Sequence, residues 1–162
     1  MTEQRALPPS ARRVQDALAA AGLDCVVREL ADSTRSAAEA AAALGCTVAE
    51  IAKSLVFRGA ESDRPVLVIA SGSNRVDEKR AGELIGERLA RADADFVRQS
   101  TGFAIGGVAP LGHRVAPAVL VDEDLLAFDQ VWAAAGTPFS VFAITPADLV
   151  RVSGGRVARV RP

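Results

Sequence analysis

The sequence predicts an α/β (α+β) domain: a mixed, largely antiparallel sheet, or a partly closed barrel, flanked by helices. Three observations lead there. Short runs rich in β-branched and aromatic residues pair across short turns, 52–59 with 65–72 and 130–136 with 138–144. Helical signals with their own capping residues group early in the chain and between those runs. No sustained alternation of strand and long helix runs through the sequence, which disfavours a doubly wound parallel sheet.

The elements follow in order. Residues 1–9 are expected to form a flexible tail, and residues 10–162 a single domain, in keeping with a length of 162. Ser10 is placed to cap a helix reaching about Ala21, because Val14, Ala17, Leu18 and Ala21 share a face and Gly22 follows. CVVREL (25–30) reads as a short strand. Ser36 and Glu39 form a capping box for a helix ending near Leu44, with Gly45 beyond it. Thr47 and Glu50 repeat the pattern and open one helical turn into Ile51.

AKSLVFRG (52–59) is a strand whose alternation puts Lys53, Leu55 and Phe57 on one face and Ser54, Val56 and Arg58 on the other. A polar turn (60–64) leads to PVLVIASG (65–72), whose unbroken apolar run suits a central strand buried on both sides and antiparallel to its predecessor. A loop (73–76) precedes a helix capped by Asp77 and running from about Glu78 to Gly86. A polar segment and a short helix over 93–99 deliver the chain into a glycine-rich stretch, 101–113. AVLVDEDL (118–125) is a strand ending at Asp122, and the next two strands turn at Gly136–Thr137. Thr145, Pro146 and Asp148 supply the N-cap, first-turn proline and acid of a last helix, which stops near Gly154 before an edge strand, RVARV.

Composition excludes several function classes. A formal net charge of −1 lacks the basic excess of proteins that grip long nucleic acids, though a domain holding only a terminal nucleotide needs none. No apolar run is long enough to span a membrane and the N-terminus lacks the apolar core of a signal peptide, so the cytoplasm is the expected compartment. Cys25 and Cys46 have no metal-ligand spacing and read as small buried hydrophobes. His113 is the sole histidine, so neither a zinc site nor a histidine-based triad is supported, and no metal or cofactor is expected.

Two features point to chemistry. Of nineteen basic residues only Lys53 and Lys79 are lysine, in a chain that otherwise uses arginine wherever charge is needed. A surviving lysine marks a position where a compact ammonium serves better than a planar fork. Lys53 shares a strand face with two large apolar residues; it either snorkels into water from the strand's end or stands at the mouth of an apolar cleft. TGFAIGGVAPLGH (101–113) sets four glycines among apolar residues, unlike a flexible linker. It is either a tight structural turn or a loop whose bare peptide N–H groups at Gly106 and Gly107 face an anion or a developing oxyanion.

IAKSLVF together with TGFAIGGVAPLGH resembles the YbaK/EbsC family, which includes the editing domain of bacterial prolyl-tRNA synthetases and its free-standing relatives. The likeness runs from the helix ending at Gly45 to TPADLVRV near the C-terminus. The family's lysine falls on Lys53. Its glycine-rich loop falls on Thr101, Gly102, Gly106, Gly107, Pro110 and Gly112, the aspartate ending its next strand on Asp122, and a later glycine on Gly136. The family's L-D-x-K helix start is approximated by Val76, Asp77 and Lys79.

The resemblance implies hydrolysis of the ester joining a wrong amino acid to tRNA, often tRNA for proline. Lys53, Gly106 and Gly107 would then be catalytic, with Lys53 holding the terminal adenosine and the loop amides polarising the ester carbonyl. Ser54, Thr101, Gly102, Val108, Pro110, Gly112, His113, Asp122 and Gly136 would contribute to substrate binding. His113, at the loop's end, is either a base or a hydrogen-bonding bystander. The implied partner is the tRNA acceptor end, with prolyl-tRNA synthetase as a further one. The apolar stretch 132–138 departs from the serine- and glycine-rich segment of cysteine-editing members, so a preference for cysteine is not implied. The competing expectation is a catalytically silent tRNA- or nucleotide-binding, or regulatory, module of the same fold.

Overall fold

At the centre lies β3 (Pro65–Ser71), every residue of which is buried. Its side chains alternate between two apolar layers. Leu67 and Ile69 enter the larger cluster with Val14, Leu18, Phe103 and Phe142, while Val68 and Ala70 join Ala81, Leu120 and Val160 on the opposite face. The unbroken apolar run therefore marks a strand covered on both sides, as its composition predicts.

The computed structural model describes residues 6–162. Around β3 lie β1 (Arg28–Glu29), β2 (Ile51–Gly59), β4 (Leu89–Arg91), β5 (Ala118–Asp122), β6 (Val131–Ala134), β7 (Ser140–Ile144) and β8 (Arg156–Ala158). The sheet order is β1-β7-β6-β2-β3-β5-β8, with β4 also paired to β2. Four pairings are antiparallel and three, β2–β6, β3–β5 and β5–β8, are parallel. The sheet is mixed and open, ending at β1 and β8, so the barrel alternative is not realised.

Among the described residues five α-helices flank it: α1 (Pro9–Ala20), α2 (Ala37–Leu44), α3 (Glu78–Ile85), α4 (Ala94–Thr101) and α5 (Pro146–Ser153). The side chains of Ser36, Asp77, Asp93 and Thr145 each accept the backbone N–H three residues on, and Gly45, Gly86, Gly102 and Gly154 terminate these helices in the left-handed region. Short-range capping of this kind is what the sequence displays most clearly.

Four elements differ from expectation. Pro8, not Ser10, occupies the N-cap of α1, and no side chain caps it; the proline at the first helical position has no N–H to satisfy. Of the tail expected over 1–9, residues 1–5 lie outside the described residues, while Leu7 packs against the main core. The strand expected over 25–30 contracts to two residues, because only Arg28 and Glu29 find partners, at Val141 and Ser140. β4 forms from a segment without strand signal, because its residues pair with Phe57–Gly59 of β2. Cys25 and Cys46 are half-buried free thiols packed against apolar clusters, and burial raises both pKa values.

Candidate active site

A cavity of about 460 Å³ opens where the N-terminal half of β2 meets α2, the glycine-rich loop and β6. Its floor is Ile51–Leu55. Ala37, Ala40 and Leu44 of α2 form one wall, and Trp132, Ala133, Ala134 and Val141 another. Ile105, Gly106 and Val108 close it from the loop side, and Thr34 and Arg35 stand at the segment before α2. Of the stretch 132–138, Trp132, Ala133 and Ala134 line the space, and residues 135–138 do not.

Lys53 lies half-buried on this floor and donates from Nζ to the Asn74 carbonyl at 2.6 Å. Asn74 is in turn fixed by its amide, which donates to Asp122 Oδ2 at 2.8 Å and to Asp124 Oδ2 at 2.7 Å. Asp122 is fully buried and accepts the Ser71 N–H at 3.0 Å and the Asp124 N–H at 2.9 Å. Arg161 completes the string through Asp124. Burial lowers the Lys53 pKa, and the negative charge of Asp122 opposes that shift. Lys53 also lines a shallower groove on the far side, with Leu55, Phe57, Asn74 and Arg75. Lys53 thus lines both spaces, and its ammonium is tied to Asn74, which lines the groove and not the cavity.

The glycine-rich loop divides into two parts. Gly106 lines the cavity with a φ of +90°, and a Cβ there would press on the Arg35 stem at 3.1 Å. Gly107 is buried behind it: a Cβ would lie 2.7 Å from the Thr137 backbone, and its N–H already donates to the Ala104 carbonyl at 3.0 Å. Gly107 therefore lets the loop lie against the β6–β7 turn, while its N–H is committed within the loop. Among the described residues, the N–H groups of Gly106 and Val108 have no intramolecular partner.

The other loop residues support it from behind. Thr101 is fully buried, donates to Val97 and accepts the Phe103 N–H at 2.9 Å. Gly102 ends α4 and lies against the Arg13 guanidinium, which donates to Thr101 and stacks 4.2 Å from the centre of the Phe103 ring. Pro110 is buried, and Gly112 takes a φ of +78° beside Ala17 and Phe103. His113 meets Phe103 edge-on and bonds the Ala109 carbonyl through Nε2; burial lowers its pKa, Arg13 adds to the effect, and the Ala109 bond opposes it. Gly136, with φ +95°, lets the β6–β7 turn sit against Ser10, whose carbonyl a Cβ would meet at 2.6 Å.

Of the residues singled out in the sequence, Lys53, Ser54, Gly106 and Val108 come together around the cavity. Thr101, Gly102, Gly107, Pro110, Gly112, His113, Asp122 and Gly136 are not among its lining. They shape the loop and the turns that present it. Asn74, Asp124 and Arg35 carried no sequence signal, since each lies in a polar loop or turn and acquires its role only through distant partners.

Residues 31–152 match the family described as the aminoacyl-tRNA editing domain. The chain belongs to that family. This editing domain is 34% identical over 131 residues to the uncharacterized protein YwhH of Bacillus subtilis (strain 168), covering 81% of this chain and 83% of that one. Among solved structures it is similar to one described as a "putative trans-editing enzyme for prolyl tRNA synthetase", with 47% identity, a TM-score of 0.91, and coverage of 97% of this chain and 99% of the other. The hypothetical protein APE2540 matches at 30% identity and a TM-score of 0.84, over 91% and 98% of the two chains. Among the described residues of this editing domain, no helix is long and apolar enough to cross a membrane.

Proposed function

We propose that this editing domain is a hydrolase acting in trans on aminoacyl-tRNA, cleaving the ester of a small amino acid, with mischarged tRNA for proline as the leading substrate. The observation that carries the reading is the convergence of Lys53 and Gly106 on one small, mostly apolar cavity. In this scheme the Lys53 ammonium holds a phosphate or hydroxyl of the terminal adenosine, and the exposed Arg35 offers a second cation at the rim. The Gly106 N–H and its neighbour at Val108 polarise the acyl carbonyl, and Gly107 takes the part of a spacer. One such donor lowers a barrier by about 3–4 kcal/mol.

Water is the nucleophile, and positioning of an already reactive ester next to a vicinal hydroxyl supplies the rest. His113 is turned toward Ala109 and takes no part. The walls made by Ala37, Ala40, Ala133 and Ala134 leave room for a small side chain. Prolyl-tRNA synthetase is a candidate partner, supported by the 47% identity to the structure described as a "putative trans-editing enzyme" for that synthetase.

A deacylation screen tests this. The full chain is mixed with tRNA for proline, alanine and threonine charged with alanine, serine, threonine or cysteine. At least one pair is cleaved, and Lys53→Ala lowers the rate by about a hundredfold while leaving the melting transition in place, in line with removing a group that acts on the transition state. Binding of uncharged tRNA that depends on Lys53, with no ester cleaved, would instead identify a silent binding module.

A further inference from the structure

The floor of the cavity contains an interrupted strand pairing. The Gly59 N–H donates to Arg64 and the Gly72 N–H to Ile51, which fixes the phase of the β2–β3 ladder: odd-numbered residues of β2 bond to β3. Even-numbered residues turn their peptide groups the other way. There β2 pairs with β6 only at Ile51 and Ala52, and with β4 only from Phe57 onward. Neither pairing reaches Ser54. On β6 the phase set by the Ala135 N–H donating to Ser140 turns Trp132 and Ala134 toward β2. Because the parallel register stops at Ala52↔Ala133, the Ala134 carbonyl has no β2 amide to accept from.

A notch results, in which the Ser54 N–H, the Ser54 carbonyl and the Ala134 carbonyl lack strand partners. Ser54 and Ala134 both line the cavity. The Ser54 hydroxyl is also shielded from solvent and has no hydrogen-bond partner among the described residues. Buried polar groups left open in this way are places where a ligand or water completes the bonding. The cavity lining contains two cations, Lys53 and Arg35, and no carboxylate. A cationic group entering it cannot be neutralised by an acid and must rest where neutral acceptors converge.

Building on the deacylase reading, we propose that the β2–β6 notch is the subsite for the free α-amino group of the aminoacyl ester. The Ala134 carbonyl and Ser54 Oγ accept from the ammonium, and the Ser54 N–H donates to the acyl oxygen. The phosphate-bearing end of the substrate then lies toward Lys53 and Arg35, which separates like charges. The substrate class this selects is the unblocked α-aminoacyl ester; N-acylated and α-hydroxyacyl esters are excluded because they carry no ammonium.

The test uses non-hydrolysable analogues, so binding is read apart from cleavage. The full chain is titrated with 3′-alanylamido-3′-deoxyadenosine and with its N-acetyl and lactyl counterparts. The free amine binds at least tenfold more tightly than either; Ser54→Ala narrows that gap at least threefold and Ser54→Thr restores it. Binding of the three within twofold of one another, no binding of any, or an equal loss for all three in Ser54→Ala overturns the subsite. A retained preference for the free amine with no cleavage of any charged tRNA would remove the hydrolase reading and leave the notch standing.

Discussion

Lys53 and Asp122 are joined through a single intermediary: the Asn74 carbonyl accepts from the Lys53 ammonium while the Asn74 amide donates to the Asp122 carboxylate. The buried acid holds the turn after β3, and the turn holds the lysine. Its charge also sustains the ammonium against desolvation.

Asp122→Asn removes that charge and leaves a side chain of the same size. The Lys53 pKa, already lowered by burial, falls further, so the protonated and active fraction is lost at a lower pH. The alkaline limb of kcat/KM for deacylation is expected to move to lower pH, with the acid limb unmoved. The profile is measured between about pH 6 and 9, with spontaneous ester loss subtracted. Superimposable limbs would show that Asp122 acts on the turn alone.

Gly107→Ala places a Cβ 2.7–2.8 Å from the Thr137 backbone, which cannot swing aside as a side chain could. The loop must lift from the β6–β7 turn, carrying Gly106 with it. Stability is expected to fall by about 1–3 kcal/mol in urea titrations, and kcat/KM by more than tenfold. Gly45→Ala is the control: its φ of +69° strains an alanine, yet open space surrounds it and the cavity does not include it. That variant loses about 1 kcal/mol and keeps its turnover. Equal activities in the two variants would show that the Gly107 contact does not position the loop.

His113 is held neutral by its surroundings, with a folded pKa below its ordinary 6.5. As pH falls through that value the unfolded chain takes up the proton first, so stability drops from about pH 6.5 downward until the folded imidazole also titrates; above it the term vanishes. His113→Gln keeps a donor for Ala109 and removes the titration. Urea midpoints recorded from about pH 7.5 to 5 should fall less steeply for the variant than for the parent. Parallel declines would assign the acid sensitivity to other groups.

Much of this was legible before any coordinates. Each cap, Ser36, Asp77, Thr145, works over three residues, and the alternation that puts Lys53 with Leu55 and Phe57 is a property of one strand. The lysine count and the glycine spacing pointed to Lys53 and Gly106, which the fold brings to one cavity. The division of labour within the loop was not legible. Gly106 and Gly107 are adjacent and chemically identical, and only the path of residue 137 makes one a lining residue and the other a spacer.

The amino-acid sequence alone determined the caps, the turns and the central strand, because those signals act between neighbours along the chain. Tertiary structure alone decided that Asp122 faces the turn after β3, that Asn74 bridges it to Lys53, and that β2 and β6 part company at Ser54. Those relationships join residues some twenty to eighty positions apart, and they depend on strand register, which no local pattern encodes.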